Sequence, residues 1–274
     1  MCLILLVYDA HPDYRLILAA NRDEFYDRPT TPAGFWPDAP GVLAGRDLQA
    51  GGTWLGVDRA LRFAAVTNYR QGQREPVARS RGFLVSEYLM GGRTPEDYVA
   101  RVESDAAQYN GFNLLVGDAR DARYFSNREG RARSLLPEVY GLSNHLLDTP
   151  WPKVASGKAA LSQLVRESRG AGLVAGLFDL LADPTRAADE VLPETEVGRE
   201  WERLLSAAFI TSPHYGTRSS TVLLIGREKR VEFVERSFGV GGGLLGEVRY
   251  TFEAEEGGST SSEPPPARHS SGWD

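Results

Sequence analysis

The chain opens MCLILLVYDAHPDYRLILAANRDEFYDRP (residues 1–29). Leu3 to Tyr8 is a continuous apolar run of strand length and Arg15 to Ala20 is a second, with the turn-like Asp9-Ala10-His11-Pro12-Asp13-Tyr14 between them. The two read as a β-hairpin. With the turn centred near Pro12, antiparallel register sets Cys2 beside about Asn21, within a residue or two. Strand side chains alternate, so Asn21 and Asp23 point one way and Arg22 and Glu24 the other. Arg28-Pro29-Thr30-Thr31-Pro32 marks the end of the second strand.

Outward from this hairpin the pattern stays mixed. Gly52 to Val57 and Leu61 to Asn68 read as a second hairpin around Asp58-Arg59-Ala60. Arg81 to Met90 and Pro95 to Glu103 have helical periodicity, the second with Thr94 as N-cap and Pro95 at the first helical position. Short strands follow in Phe112 to Gly117, Ala122 to Ser126, Ala132 to Leu135 and Val139 to Ser143. Helices are expected from Thr149-Pro150-Trp151-Pro152 to about Ser168, over Leu173 to Ala182 and over Arg199 to Ala207. The last strands are Ser219 to Gly226, Val231 to Phe238 and Glu247 to Phe252. Strands, then helices, then strands give an α+β class with mostly antiparallel sheets. A four-layer αββα sandwich accounts for so many apolar strands in one domain, expected over residues 1–252. Residues 253–274, rich in Glu, Gly, Ser and Pro, read as a disordered tail.

Composition excludes several function classes. A single cysteine among 274 residues permits no intramolecular disulfide, no secretory signal is evident, and Leu3 to Tyr8 is too short to span a bilayer. A reducing, cytoplasmic location without membrane insertion is expected. A formal charge of −6 argues against nucleic acid as a partner. The basic runs Arg128 to Arg133 and Arg227 to Arg230 contain acids and read as solvated hairpin ends. The four histidines lie far apart and pair with no carboxylate or thiol at a ligand spacing, so no metal site is expected. Gly241, Gly243 and Gly246 satisfy Gly-x-Gly-x-x-Gly but precede a strand, which fits a glycine hairpin better than a nucleotide site.

The position of Cys2 is chemically informative. An α-amine titrates at roughly 7.7–8 and a thiol at roughly 8.5. If Met1 is removed, the amine of Cys2 can accept the proton of its own sulfur, and the residue carries nucleophile and base together. Asp23, on the neighbouring strand, can orient that amine. Asn68 and Asn144 each end an apolar strand, where an uncharged amide can donate to an oxyanion; the plainer alternative for each is an Asx-turn. Arg22 or Arg218 can hold a carboxylate or phosphate. Trp54, with Phe35, Trp36 and Tyr69, can line an apolar pocket, core packing being the default. Gly51-Gly52-Thr53-Trp54 implies that a backbone passes close to a ligand or a strand.

Met1-Cys2 before an apolar strand, Asn21-Arg22-Asp23-Glu24 with Arg28-Pro29, Gly51-Gly52-Thr53-Trp54-Leu55-Gly56, Thr67-Asn68-Tyr69-Arg70, Gly141-Leu142-Ser143-Asn144 with Thr149-Pro150-Trp151-Pro152-Lys153, and Thr217-Arg218-Ser219-Ser220 closely resemble the NRDE family, whose animal members are the transport and Golgi organisation 2 proteins. The resemblance implies a cytoplasmic protein linked to lipid or acyl-CoA homeostasis or to haem movement. More distantly the chain is similar to the N-terminal nucleophile hydrolases of the choloylglycine hydrolase and penicillin V acylase group, which share an αββα sandwich and cleave amides. There Cys2 matches the nucleophile, Asn21-x-Asp23 the aspartate motif, and Asn68 and Asn144 two active-site asparagines. Ala20 stands where that group has an arginine, and Arg218 matches its late arginine only loosely.

The leading expectation is therefore a cysteine amidohydrolase or acyl transferase acting on a small acyl-amide or acyl-thioester, with Cys2, Asp23, Asn68 and Asn144 catalytic, Asn21, Arg22, Arg218 and Trp54 binding substrate, and no cofactor. The alternative is a binding protein that carries a lipid, an acyl-CoA or haem, with Cys2 as a possible iron ligand.

Overall fold

The computed structural model describes residues 2–71 and 79–254. The opening hairpin is β1 (Cys2–Tyr8) and β2 (Tyr14–Phe25), with Cys2 opposite Arg22 and Leu3 opposite Asn21, one residue from the expected register. Next come β3 (Thr30–Trp36) and β4 (Ala39–Asp47), two strands absent from the sequence reading, and then the second hairpin, β5 (Leu55–Asp58) and β6 (Phe63–Asn68). Helices α1 (Gly82–Met90) and α2 (Pro95–Ser104) follow; Thr94 caps α2 by accepting from Asp97 N–H. Strands β7 (Phe112–Gly117), β8 (Ala122–Ser126), β9 (Arg131–Ser134) and β10 (Glu138–Leu142) lead to α3 (Pro152–Glu167), α4 (Gly170–Leu181) and α5 (Arg199–Leu205). The described chain ends with β11 (Tyr215–Gly226), β12 (Arg230–Phe238) and β13 (Leu244–Glu253). The tail expected from residue 253 falls, from 255 onward, outside the described residues.

Two antiparallel sheets result, one in the order β10-β1-β2-β11-β12-β13 and the other β3-β4-β5-β6-β7-β8-β9. The apolar run at β1 is continuous because both faces of this central strand are covered. Ile4 and Leu6 pack between the sheets against Leu43, Leu55 and Phe63. Leu3 and Leu5 pack outward against Val154, Leu161, Leu173 and Leu177 of α3 and α4. On the far side, Leu84, Val85, Tyr98 and Val99 of α1 and α2 cover Val66, Leu114 and Val116 of the second sheet. The molecule is thus an α+β, four-layer αββα sandwich. Each fully buried leucine contributes about 1.5–3 kcal/mol, so the two-faced strands β1 and β2 hold the layers together. Their open ends bring Cys2 and Asp23 to one edge of the sandwich.

Candidate functional site

At that edge lies a cleft of about 830 Å³ whose lining includes Cys2, Arg22, Asp23, Trp54, Asn68 and Tyr215. Five of the eight sequence-predicted residues therefore meet on one surface. Cys2 is partly exposed there. Burial nevertheless pushes its thiol up, while the Asp23 backbone N–H, which favours the thiolate, opposes the shift. Arg22 lies opposite Cys2 and stacks its guanidinium 4.3 Å from the centre of the Trp54 ring.

Asp23 is 1 % exposed, and one of its carboxylate oxygens accepts from Thr217 Oγ1 at 2.8 Å. Burial raises its pKa, against the opposing field of Lys153 and the Thr217 hydrogen bond. Tyr215 donates to the Asp23 carbonyl at 3.0 Å, and its ring joins Phe25 and Trp201 in an edge-on aromatic cluster that forms an apolar rim.

Asn68 ends β6 inside the cleft lining. Behind it, Asn144 is fully buried and donates through Nδ2 to the Asn68 carbonyl at 2.8 Å. Ser143, the preceding residue, donates to the Cys2 carbonyl at 3.0 Å, and Thr67 donates to the Ser143 carbonyl at 2.7 Å. These bonds tie the ends of β1, β6 and β10 together across the two sheets. Asn144 thus acts on the backbone that carries Asn68 and is not among the residues lining the cleft.

Asn21 and Arg218 also stand apart from the cleft lining. Asn21 faces the helix layer, donating to Leu181 and Ala208 carbonyls at 2.8 Å each and accepting from Ser220 at 2.6 Å, so it anchors the end of α4 to the sheet. Arg218 donates to the carbonyls of Phe25, Tyr26 and Arg28 and closes the turn after β2.

The sequence reading assigned no role to Lys153. It is the second residue of α3 and is 4 % exposed; Nζ has no hydrogen-bond partner among the described residues. Burial pushes its pKa down to about 8, while Asp23 and Cys2 pull it back up. Beside it, the guanidinium of Arg70 pairs with Glu202 of α5 and stacks 4.3 Å from Trp151. The available signal was a lysine directly after a helix-opening proline, where the helix dipole disfavours a cation. Among the described residues no group of three or more His, Cys, Asp or Glu side chains is placed to hold a metal ion.

The Gly51-Gly52 backbone approaches another backbone, not a ligand: a Cβ on Gly52 would lie 2.5 Å from the carbonyl carbon of Gly82, at the start of α1. Gly82 also lines the cleft, so this contact fixes one wall.

The family model described as "Transport and Golgi organisation 2" matches residues 1–239. The chain belongs to that family. The mouse (Mus musculus) Transport and Golgi organization 2 homolog is 38% identical over 257 residues, covering 86% of this chain and 93% of that protein. The human (Homo sapiens) homolog is 39% identical over 256 residues with the same coverage. The Transport and Golgi organisation 2 name specifies no reaction. Among solved structures, the Caenorhabditis elegans ortholog of N-acylethanolamine-hydrolyzing acid amidase matches with a TM-score of 0.43 and 11% identity, over 81% of this chain and 92% of that one. No helix among the described residues is long and apolar enough to cross a membrane.

Proposed function

We propose that the cleft is the acyl-transfer site of an N-terminal cysteine amidohydrolase or acyl transferase. The observation that carries this reading is the placement of Cys2, Arg22, Asp23 and Asn68 in one cleft, on strand ends locked to each other by Ser143 and Asn144. With Met1 in place, burial favours the neutral thiol. Removal of Met1 creates an α-amine on the same residue; as the free base it takes the proton of the thiol, and the ammonium so formed favours the thiolate. The thiolate then attacks the carbonyl carbon of a small acyl-amide or acyl-thioester. A C–S bond forms, the C–N or C–S bond of the substrate breaks, and the leaving group takes the proton held by the amine. Water completes a hydrolase cycle, and a second nucleophile completes a transfer. Asn68 is the group in the lining suited to donate to the oxyanion, Asp23 orients the amine, and the Phe25, Trp201 and Tyr215 rim receives the apolar part of the substrate. The chemistry needs no cofactor and suits a reducing compartment such as the cytoplasm, where a lone thiol stays free.

One observation favours the alternative of a lipid or acyl-CoA carrier: the Asn144 amide is engaged with the Asn68 carbonyl and does not face the cleft. An iron porphyrin fits less well, because the described cleft lining holds no histidine and burial disfavours the Cys2 thiolate. Intact mass of the purified protein before and after incubation with a panel of acyl amides and thioesters separates these readings. A form beginning at Cys2 that gains one acyl mass, with no gain in Cys2→Ala, is expected. Retained Met1 with a co-purifying lipid, or a native thiol inert to acyl probes that label the denatured chain, refutes acyl transfer.

A further inference from the structure

A second cavity, of about 230 Å³, shares Arg22 and Trp54 with the Cys2 cleft and extends between the β3 segment Thr30–Pro32 and the β12–β13 hairpin. Two of its polar residues stand out. Arg22 is 6 % exposed, yet its five N–H donors make one hydrogen bond among the described residues, to Thr30 Oγ1 at 3.2 Å. Ser219, 5 % exposed, lines the cavity with a hydroxyl that has no partner among the described residues. Buried donors without partners cost about 1–3 kcal/mol each. The Ser219 hydroxyl and Arg218 Nε are two such donors among the described residues lining this cavity, and the Arg22 guanidinium beside them has spare N–H groups; together they mark a place where a ligand supplies the acceptors.

The charge around the cavity indicates the kind of acceptor. Arg22 faces it from β2 and Arg218 from β11; Glu235 faces it from β12 and Glu247 from β13, while Thr30, Thr31 and Pro32 of β3 bring no charge. Glu247 is paired with Arg236 and, at longer range, with Arg249. Glu235 accepts from the Ala33 N–H at 2.7 Å and from Thr221 at 3.1 Å, and burial pushes its pKa up to about 7. Up to that pH the cavity therefore presents two guanidinium groups against a predominantly neutral acid. Leu245, Val248, Phe238 and Pro32 supply the apolar remainder of the wall. The Arg22 charge feels the Trp54 ring and the fields of Glu24 and Asp47 but makes no ion pair among the described residues, and a carboxylate matches its guanidinium fork in charge and in plane where a neutral polar ligand does not.

We infer that this cavity is a binding site for the carboxylate end of a short-chain organic acid, held by Arg22 and the Ser219 hydroxyl with the alkyl part against Leu245 and Val248. The site stands independently of acylation at Cys2, although an acid seated here abuts the cleft through the shared Arg22–Trp54 wall.

Isothermal titration of the full chain with butyrate, butyramide and inorganic phosphate tests the assignment. Butyrate is expected to bind saturably at pH 6, and butyramide and phosphate at least about tenfold more weakly, a factor worth about 1.4 kcal/mol. Arg22→Lys, which lacks the fork, should lose about tenfold, and Ser219→Val, which fills the space and removes the donor, should abolish binding. Binding to wild type should weaken between pH 6 and 8 as Glu235 ionises beside the ligand, while Glu235→Gln should keep its affinity at pH 8, a gain that misfolding does not produce. Cys2→Ala should bind butyrate as wild type does, so failure of acylation and failure of this site remain distinguishable. The assignment is overturned if butyrate does not bind, if butyramide or phosphate binds as tightly, or if Ser219→Val, shown folded by its thermal transition, binds unchanged.

Discussion

Lys153 is a buried cation whose protonation the fold shifts toward neutral pH. Its folded pKa, about 8, lies below the ordinary 10.5 because burial penalises the ammonium. Between these values the unfolded chain holds a proton that the folded chain has lost, so this group makes stability rise with pH from about 8 to 10.5. Below pH 8 both states are protonated and the full penalty is present. Lys153→Met removes it, so the variant is expected to be at its most stable relative to wild type at pH 7, with the difference shrinking toward pH 10.5. Urea denaturation at pH 7, 9 and 10.5 measures this, and a difference independent of pH would exclude Lys153 as the titrating group. Arg70 and Glu202 predict the opposite behaviour. Their side chains are each 2 % exposed, so Arg70→Met or Glu202→Gln alone leaves an unmatched buried partner and should cost about 3–5 kcal/mol, with the double variant costing less than the sum. Cys2 and Asp23 were legible from sequence because the hairpin register is local. The roles of Lys153 and Arg70 were not, because the groups that act on them come from far along the chain: Asp23 and Cys2 on Lys153, Trp151 and Glu202 on Arg70.

At the level of elements, legibility followed hydrophobic pattern. The β1–β2 hairpin, α2 with its Thr94 cap and the β5–β6 hairpin read directly from periodicity. Strands β3 and β4 did not, because Pro32, Gly34, Pro40, Gly41 and Gly45 break any alternation. The structure accommodates Pro32 on an edge strand, within a break in register between Thr31 and Gly34, where no ladder hydrogen bond is required of it. Gly52 is a point of close approach, and its partner is the first turn of α1. Since a Cβ there would meet Gly82 backbone atoms at 2.5 to 2.9 Å, Gly52→Ala must push α1 away from β5. A loss of about 1–3 kcal/mol is expected, together with weaker binding of the acyl substrate proposed above, because Gly82 walls the cleft. Gly92→Ala, whose Cβ meets nothing within 4 Å, is the control and should leave both unchanged. Equal effects of the two substitutions in thermal unfolding would exclude the contact as the cause.

Across the whole molecule, the sandwich was legible because apolar runs without alternation, such as Leu3 to Val7, require cover on both faces. The polar contact of Glu235 between its sheets was not legible, since Glu235 sits in an ordinary strand pattern and meets Ala33, its partner from the other sheet, across 202 residues of chain. Its folded pKa of about 7 exceeds the ordinary 4.5, chiefly through burial. Between these values the folded state holds a proton that the unfolded state has released, so stability falls as pH rises from about 4.5 to 7 and the loss is complete above that. Gln at this position keeps an acceptor for the Ala33 N–H and cannot ionise. Glu235→Gln should therefore match wild type near pH 4.5 and exceed it at pH 7.5, with the gap opening through the same window in which acid loosens most proteins. Denaturant midpoints at pH 4.5, 6 and 7.5 give the comparison. A variant less stable than wild type at pH 7.5 would mean that ionised Glu235 holds the two sheets together instead of straining them.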